Sequence, residues 1–290
     1  MRPEPSIAPL ADSDVGPIAT AGIVVERLDE VDSTNAYARR LVEQGRADGA
    51  RFIVARIQTA GYGRHGRAWH SPPGGLWCTL LVPAPSGPSD SGLPGYADMG
   101  LRIGVACLQT IIDALARAGA GSDLLNRVRL KWPNDILIDD RKVCGSLCEV
   151  FSEPPASIPK SKIRRGGPQA CSWLLIGVGI NVDIDPASLA SNLRRPAISL
   201  AAALGRPIDR ALIETQLAGH LLSAVSRAQP WRAILKAAAA RLAALDREIS
   251  LSLPDGQAVR GVLQGLSDRG DPVLLVNGRR FIAPPGAETL

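Results

Sequence analysis

The chain has 290 residues, a formal net charge of +5 and an apolar fraction of 46%, enough for a sizeable core in one large domain with a small one beside it. No apolar run approaches the ~20 residues that cross a bilayer. Residues 1–20 carry Pro, Asp and Glu where a signal peptide needs a basic and then an apolar stretch, so a cytoplasmic protein is expected.

Residues 1–21 lack periodicity and read as a loose arm. Gly22–Leu28 is a β-prone run, and Asp32-Ser33-Thr34-Asn35 then supplies helix-capping residues ahead of an apolar-periodic segment. Phe52–Ile57 and Leu76–Val82 read as strands around a Gly- and Arg-rich loop, Gly61–Gly75. After Pro- and Ser-rich punctuation at 83–97, Met99–Ala118 carries an apolar face at helical spacing. Strands are predicted at Val128–Lys131, Ile136–Ile138, Lys142–Phe151 and Trp173–Val182, with an insertion at 152–171. Helical patterns follow at Ile198–Leu204, Ala211–Ala228 and Trp231–Ala244.

The last segment changes character. Glu248–Leu253, Ala258–Leu266, Pro272–Val276 and Arg279–Ala283 alternate with turns, and Asn277-Gly278 is a strong hairpin signal. The expected organisation is an arm at 1–21, a catalytic domain at 22–244 and a small β-barrel at 245–290.

Five cysteines without CxxC spacing and three scattered histidines argue against a disulfide framework and a zinc site; Cys78 and Cys107 fall in apolar runs and read as buried thiols. The basic clusters at Arg64–Arg67 and Lys160–Arg165 suit a protein that handles anions.

Four segments concentrate residues that packing alone does not require. Gln58–Trp69 spaces three glycines, Gly61, Gly63 and Gly66, with two arginines, Arg64 and Arg67, which permits close backbone approach to an anion held by guanidinium forks. It is not a Walker loop, since GxxxxGK[ST] is absent. Lys131-Trp132-Pro133-Asn134-Asp135 reads as a turn whose Pro, Asn and Asp are explained by geometry, but whose Lys and Trp are not. Lys142-Val143-Cys144-Gly145 lies on or beside a strand. Gly177-Val178-Gly179-Ile180-Asn181-Val182 puts two glycines in a strand, as close packing of a ligand or backbone would require.

Taken in order, Val31–Asn35, Gly61–Trp69, Lys131–Asp135, Arg141–Gly145 with Glu149, and Gly177–Val182 resemble the motifs of biotin protein ligases, over about Leu28 to Val182. The β-rich end looks like that family's SH3-like domain. The resemblance implies an α+β fold, with a mixed-sheet catalytic domain and a small C-terminal barrel. It also implies ATP-dependent activation of biotin to biotinyl-5′-AMP, followed by transfer to a lysine of a biotin carboxyl carrier protein.

By similarity Ser33, Thr34, Asn35 and Gln58 line the biotin pocket, joined by Tyr62, Gly63, Arg64, Lys142 and Gly145. Arg67, Trp69, Asn134, Gly179 and Asn181 are assigned to the ATP side. Arg64 and Lys142 would stabilise phosphate charge, Asp135 would accept the proton of the carrier lysine, and Mg²⁺ would ride on the nucleotide without a dedicated protein cage. Tyr62 and Ser146 depart from the family pattern, which often has Arg and Ile there; Tyr62 leaves Arg64 as the main cation at the loop centre.

The nearest alternative, a lipoate or octanoate transferase of the same fold type, carries an Arg-Arg-x-Ser-Gly-Gly-Gly style motif that is missing here. Some biotin ligases are also repressors with a helix-turn-helix domain, for which the ~22 residues before the first strand are too few. Neither nucleic acid nor membrane is an expected partner. Similarity allows a homodimer through an edge of the central sheet.

Overall fold

The computed structural model describes residues 22–152, 172–185 and 196–290. The expected arm at 1–21, all but the first residue of the expected insertion at 152–171, Cys171 and the Lys160–Arg165 cluster lie outside them.

A seven-stranded sheet forms the centre, in the order β1 (Val24–Val31), β2 (Arg51–Gln58), β3 (Leu76–Pro83), β7 (Ser172–Ile180), β6 (Arg141–Ser152), β5 (Asp135–Ile138), β4 (Val128–Lys131). β1 and β2 are parallel and every other pair is antiparallel, so the sheet is mixed, as expected. The first strand lies about two residues later than the sequence pattern suggested.

One face is covered by α2 (Met99–Arg117), α5 (Arg210–Val225) and α6 (Trp231–Ala240). Contrary to the expectation from sequence, α2 is long and apolar enough over its 19 residues to span a bilayer, but 72% of its most apolar stretch is buried inside the fold. It is the core helix of the large layer. Cys78, Cys107 and Cys144 sit buried in that layer. A one-and-a-half-turn helix, α3 (Ser122–Arg127), was not foreseen, and α4 is only Leu200–Leu204, beginning at its N-cap Ser199.

The other face is only half covered. α1 (Thr34–Glu43) lays Tyr37, Ala38, Leu41 and Val42 over Ile53, Leu81, Trp173 and Leu175. Strand alternation puts Gly177 and Gly179 on the same face of β7 as Trp173 and Leu175. Past the end of α1 that face therefore carries glycine where it would otherwise carry bulk, and an open space stands over β6 and β7.

The C-terminal strands form a five-stranded antiparallel sheet in the order β11 (Arg279–Ile282), β10 (Pro272–Val276), β9 (Ala258–Leu266), β8 (Glu248–Ser252), β12 (Glu288–Thr289). β11 and β12 are its two edges and no pairing between them closes the expected barrel among the described residues. Its small core is Leu251, Leu274, Ala283 and Ala287. The two sheets are joined by indole hydrogen bonds: Trp132 Nε1 donates to the Gly270 carbonyl and Trp231 Nε1 to that of Asp268, each at 2.8 Å.

Candidate active site

The uncovered half of the central sheet is the floor of a cavity of about 870 Å³, within the range of small-molecule sites. Its polar end is built by the start of α1. Ser33 has extended backbone and caps the helix, its hydroxyl accepting from Ala36 N–H. Ser33, Thr34 and Asn35 are nevertheless buried, at 3–4% exposure, so their polar groups must be satisfied inside. Gln58 Oε1, at the end of β2, accepts from Thr34 N–H at 2.9 Å, and Gln58 Nε2 donates to Ser71 Oγ at 2.8 Å. Asn35 Nδ2 donates to Glu149 Oε2 at 2.8 Å, and Thr79 Oγ donates to Asn35 Oδ1 at 2.6 Å. A Cβ on Gly177 would stand 2.3 Å from Asn35 Oδ1, so glycine is what lets this carboxamide lie against β7.

The roof is the Gly61–Trp69 loop, a narrow hairpin. Trp69 N–H donates to the Gly61 carbonyl and Gly63 N–H to that of Arg67, each at 2.8 Å. His65 and Gly66 are both left-handed, with φ of 57° and 68°, and turn the chain back so that Arg64 and Arg67 point the same way. Trp69 descends from the loop onto β6 and β7. Its ring fills the places that side chains on Gly145 and Gly179 would take, a Gly179 Cβ lying 2.5 Å from its Nε1. Trp77 meets it edge-on at 6.4 Å. Among the described residues the buried Trp69 indole N–H has no hydrogen-bond partner.

The third wall holds the charges. β5 pairs with β6 through a register shift in which Ile136 faces Cys144 and Leu137 faces Lys142. The extra residue, Val143, breaks the alternation and brings Lys142 to the side of Asp135 and Gly145. Lys142 Nζ is 2.7 Å from Asp135 Oδ1 and 4.7 Å from the Trp69 ring centroid. About a quarter of the Lys142 side chain and a fifth of that of Asp135 remain exposed, so both can meet a ligand. The preceding turn contains a cis Trp132–Pro133 bond, and Asn134 Nδ2 donates to the Ser146 carbonyl. Asn181 Nδ2 donates to the Ile198 carbonyl at 3.2 Å and N–H to that of Val143 at 2.9 Å; its visible work is to fix the strand carrying Lys142.

The fourth wall was not foreseen. Glu288, on the two-residue strand β12, receives Arg64 Nη2 at 2.8 Å, Arg67 Nη2 at 3.3 Å and a close contact from His65 Nε2. Burial pushes its carboxyl up, but the His65 hydrogen bond and the charges of Arg64, His65 and Arg67 outweigh that and hold it below the ordinary glutamate value.

The cavity brings together all the residues singled out from sequence: Ser33, Thr34, Asn35, Gln58, Tyr62, Gly63, Arg64, Arg67, Trp69, Asn134, Asp135, Lys142, Gly145, Gly179 and Asn181 line it. Glu288 does too, while Thr79, Ser71 and Glu149 stand behind the floor; of these only Glu149 belonged to the sequence motifs, where it was given no role. Thr79 carried a faint signal, as the one polar residue in the run Leu76–Val82.

Comparison with known proteins fits this arrangement. Residues 28–157 match the model described as "Biotin/lipoate A/B protein ligase family". In a separate comparison 184 residues, 63% of the chain, align at 35% identity with the bifunctional ligase/repressor BirA of Bacillus subtilis. The chain spans about half the length of that Bacillus relative, 48% of it. Over nearly its whole length, 99% of the chain and 96% of the relative, it is 26% identical to a biotin--[acetyl-CoA-carboxylase] ligase of Mycobacterium tuberculosis. The fold is that of the biotin protein ligase of Aquifex aeolicus, solved in complex with biotin and ATP. That likeness has a TM-score of 0.68 at 22% identity and covers 92% of this chain and 98% of that one. Within the matched residues 28–157 lie α1, the roof loop, Asp135 and Lys142; Gly179, Asn181 and Glu288 come after them.

Proposed function

We propose that the chain is a biotin protein ligase, which joins biotin to ATP as biotinyl-5′-AMP and then passes the biotinyl group to a lysine of a biotin carboxyl carrier protein. The observation that carries the reading is the pairing of Lys142 with Asp135 between a polar, fully satisfied floor and an arginine-bearing roof. The names of the Mycobacterium and Aquifex relatives support the choice of substrate. On this reading residues 22–244 form the catalytic domain and 245–290 an accessory one.

In the first step a carboxylate oxygen of biotin attacks the α-phosphorus of ATP, and the bond to pyrophosphate breaks. Two anions must meet, so fixed cations are the main requirement. Lys142 supplies a point charge and Arg64 a planar fork. Both are already held by carboxylates, Asp135 and Glu288, and so are placed before any phosphate arrives. Mg²⁺ would enter with the nucleotide, adding charge neutralisation at the phosphates. The donor set suits that, since the described residues contain no cluster of three or more side chains able to cage an ion and Mg²⁺ commonly uses only one or two carboxylates beside phosphate. The Trp69 ring and the roof loop exclude water from the reactive anhydride.

In the second step the carrier amine attacks the acyl carbon and AMP leaves. A lysine of pKa about 10.4 is only about 0.1% neutral near pH 7.4, and Asp135 would orient it and take its proton. Asp135→Asn is then expected to slow transfer from preformed adenylate by about 10²–10⁴-fold; an unaltered single-turnover transfer rate would remove Asp135 from that role.

Pyrophosphate exchange into ATP, compared with biotin, lipoate and octanoate, tests the whole reading. Exchange that depends on biotin alone supports it. Exchange with lipoate or octanoate, or with none, overturns it.

A further inference from the structure

We propose that Glu149 is the positioning residue that ties the roof of the cavity to its floor, so that capture of the ligand's head group and closure of the loop are one event. This rests on the ligase reading for its substrate, though its geometry does not. Glu149 lies on β6, about a fifth exposed, and gathers donors from two separate elements. From α1, Asn35 Nδ2 reaches Oε2 and Arg39 Nη2 reaches Oε1, each at 2.8 Å. From the loop, the Tyr62 hydroxyl donates to Oε2 at 3.0 Å. Tyr62 is pushed up to about 12, first by burial and then by the charge and hydrogen bond of Glu149, so it stays a donor throughout the physiological range.

The carboxylate has a second effect through its lack of hydrogens. Only the amide nitrogen of Asn35 can face it, which turns Asn35 Oδ1 toward Thr79. The Thr79 hydroxyl is 2.6 Å from Asn35 Oδ1 and 2.8 Å from Thr34 Oγ1. Its one hydrogen serves one of the two at a time, and Asn35 Oδ1 is the nearer; Thr34 is tied to Gln58 Oε1 by its backbone N–H at 2.9 Å and by its hydroxyl at 3.1 Å. Gln58 Nε2 then donates to Ser71 Oγ, and Ser71 Oγ donates to the Trp69 carbonyl at 3.1 Å. Trp69 N–H in turn holds Gly61, the neighbour of Tyr62.

These contacts close a ring. It leaves the loop at Tyr62, crosses the floor through Glu149, Asn35, Thr79, Thr34, Gln58 and Ser71, and returns to the loop at Trp69. Two glycines are part of it. A Cβ on Gly177 would strike Asn35, and one on Gly61 would stand 2.7 Å from the Trp69 carbonyl and 2.9 Å from both Gln58 Nε2 and Ser71 Oγ. Linked polar groups of this kind fail together when one member is removed.

The test uses the whole chain with two variants. In Glu149→Gln a single oxygen is left to accept, and it can serve Asn35 and Tyr62 only by turning the new NH2 against Arg39 Nη2, so the three donors can no longer all be held. The KM for biotin in pyrophosphate exchange is expected to rise about tenfold, as loss of a charged hydrogen bond implies, with a much smaller change in kcat. Hydrogen exchange of the Gly63 and Trp69 amides, read on the unliganded protein, is expected to quicken in both Glu149→Gln and Tyr62→Phe. In the double variant it should be no faster than in Glu149→Gln alone, because both act through one carboxylate. Amide exchange unchanged in both single variants, or additive in the double one, overturns the proposal. A kcat loss with unchanged KM also overturns it. If the parent chain shows no biotin-dependent exchange, the ligase reading fails, while the amide measurement still decides the coupling.

Discussion

Lys142→Ala is expected to reduce biotin-dependent pyrophosphate exchange by about 10²–10³-fold, the usual cost of removing one preorganised charge-stabilising donor from an active site. The geometry argues for the upper part of that range. Lys142 Nζ stands 2.7 Å from Asp135 and over the Trp69 ring, so truncation does more than delete a cation. It leaves the Asp135 carboxylate unneutralised in the cavity that must accept phosphates, and takes away a support of the indole that covers them. Lys142→Arg should rescue only in part, because a planar fork does not fit the space of a compact ammonium between an indole and a carboxylate. Exchange within twofold of the parent in the alanine variant, with folding verified by circular dichroism, would show that the phosphates are held elsewhere.

The second large effect is on stability. In an exposed helix interior alanine is better than glycine by about 1 kcal/mol, yet Gly104→Ala in α2 is expected to lower stability by about 1–3 kcal/mol, as overpacking does. A Cβ there would lie 2.4 Å from the Pro133 carbonyl, 3.2 Å from Leu130 Cδ1 and 3.3 Å from Asn134 Cα. Two of those three atoms are backbone and cannot rotate away. They belong to the turn that leads into Asp135, so the relief of the clash would shift the catalytic wall. Gly100, four residues earlier on the same helix, has nothing within 4 Å of its Cβ position and serves as the control. A calorimetric midpoint for Gly104→Ala at or above that of Gly100→Ala would mean that the helix and the turn are not in such close contact.

The parts of the site that were legible in the sequence are those whose chemistry is local. Ser33 caps the helix it precedes, and the glycines of Gly61–Trp69 and Gly177–Asn181 announce close approaches over a few residues. What escaped is set by contacts far apart in sequence. The one-residue bulge at Val143 is invisible in the run Lys142–Phe151, because alternation looks the same until the partner strand is known. β12 is two residues long, too short to show periodicity, and exists only because Glu288 and Thr289 pair with β8. Glu149 stood among the motifs without a role and Thr79 was one polar residue in a strand; their meaning comes from Asn35, reached across 114 and 44 positions. The barrel was expected from four strands and their turns, and the fifth strand, which caps one edge rather than closing the ring, lay beyond the hairpin signals.

The roof loop is gripped along two edges by forces of different kind. Over the floor it is held by the half-buried Tyr62 hydroxyl on Glu149, which counter-ions in solution scarcely reach. Toward the small sheet it is held by ion pairs from Arg64 and Arg67 and by the His65 ring, side chains that are 35–60% exposed. Pairs of that sort are worth about 0–1 kcal/mol each and weaken as salt is added. Raised ionic strength is therefore expected to loosen the edge at Glu288 and to spare the edge at Glu149.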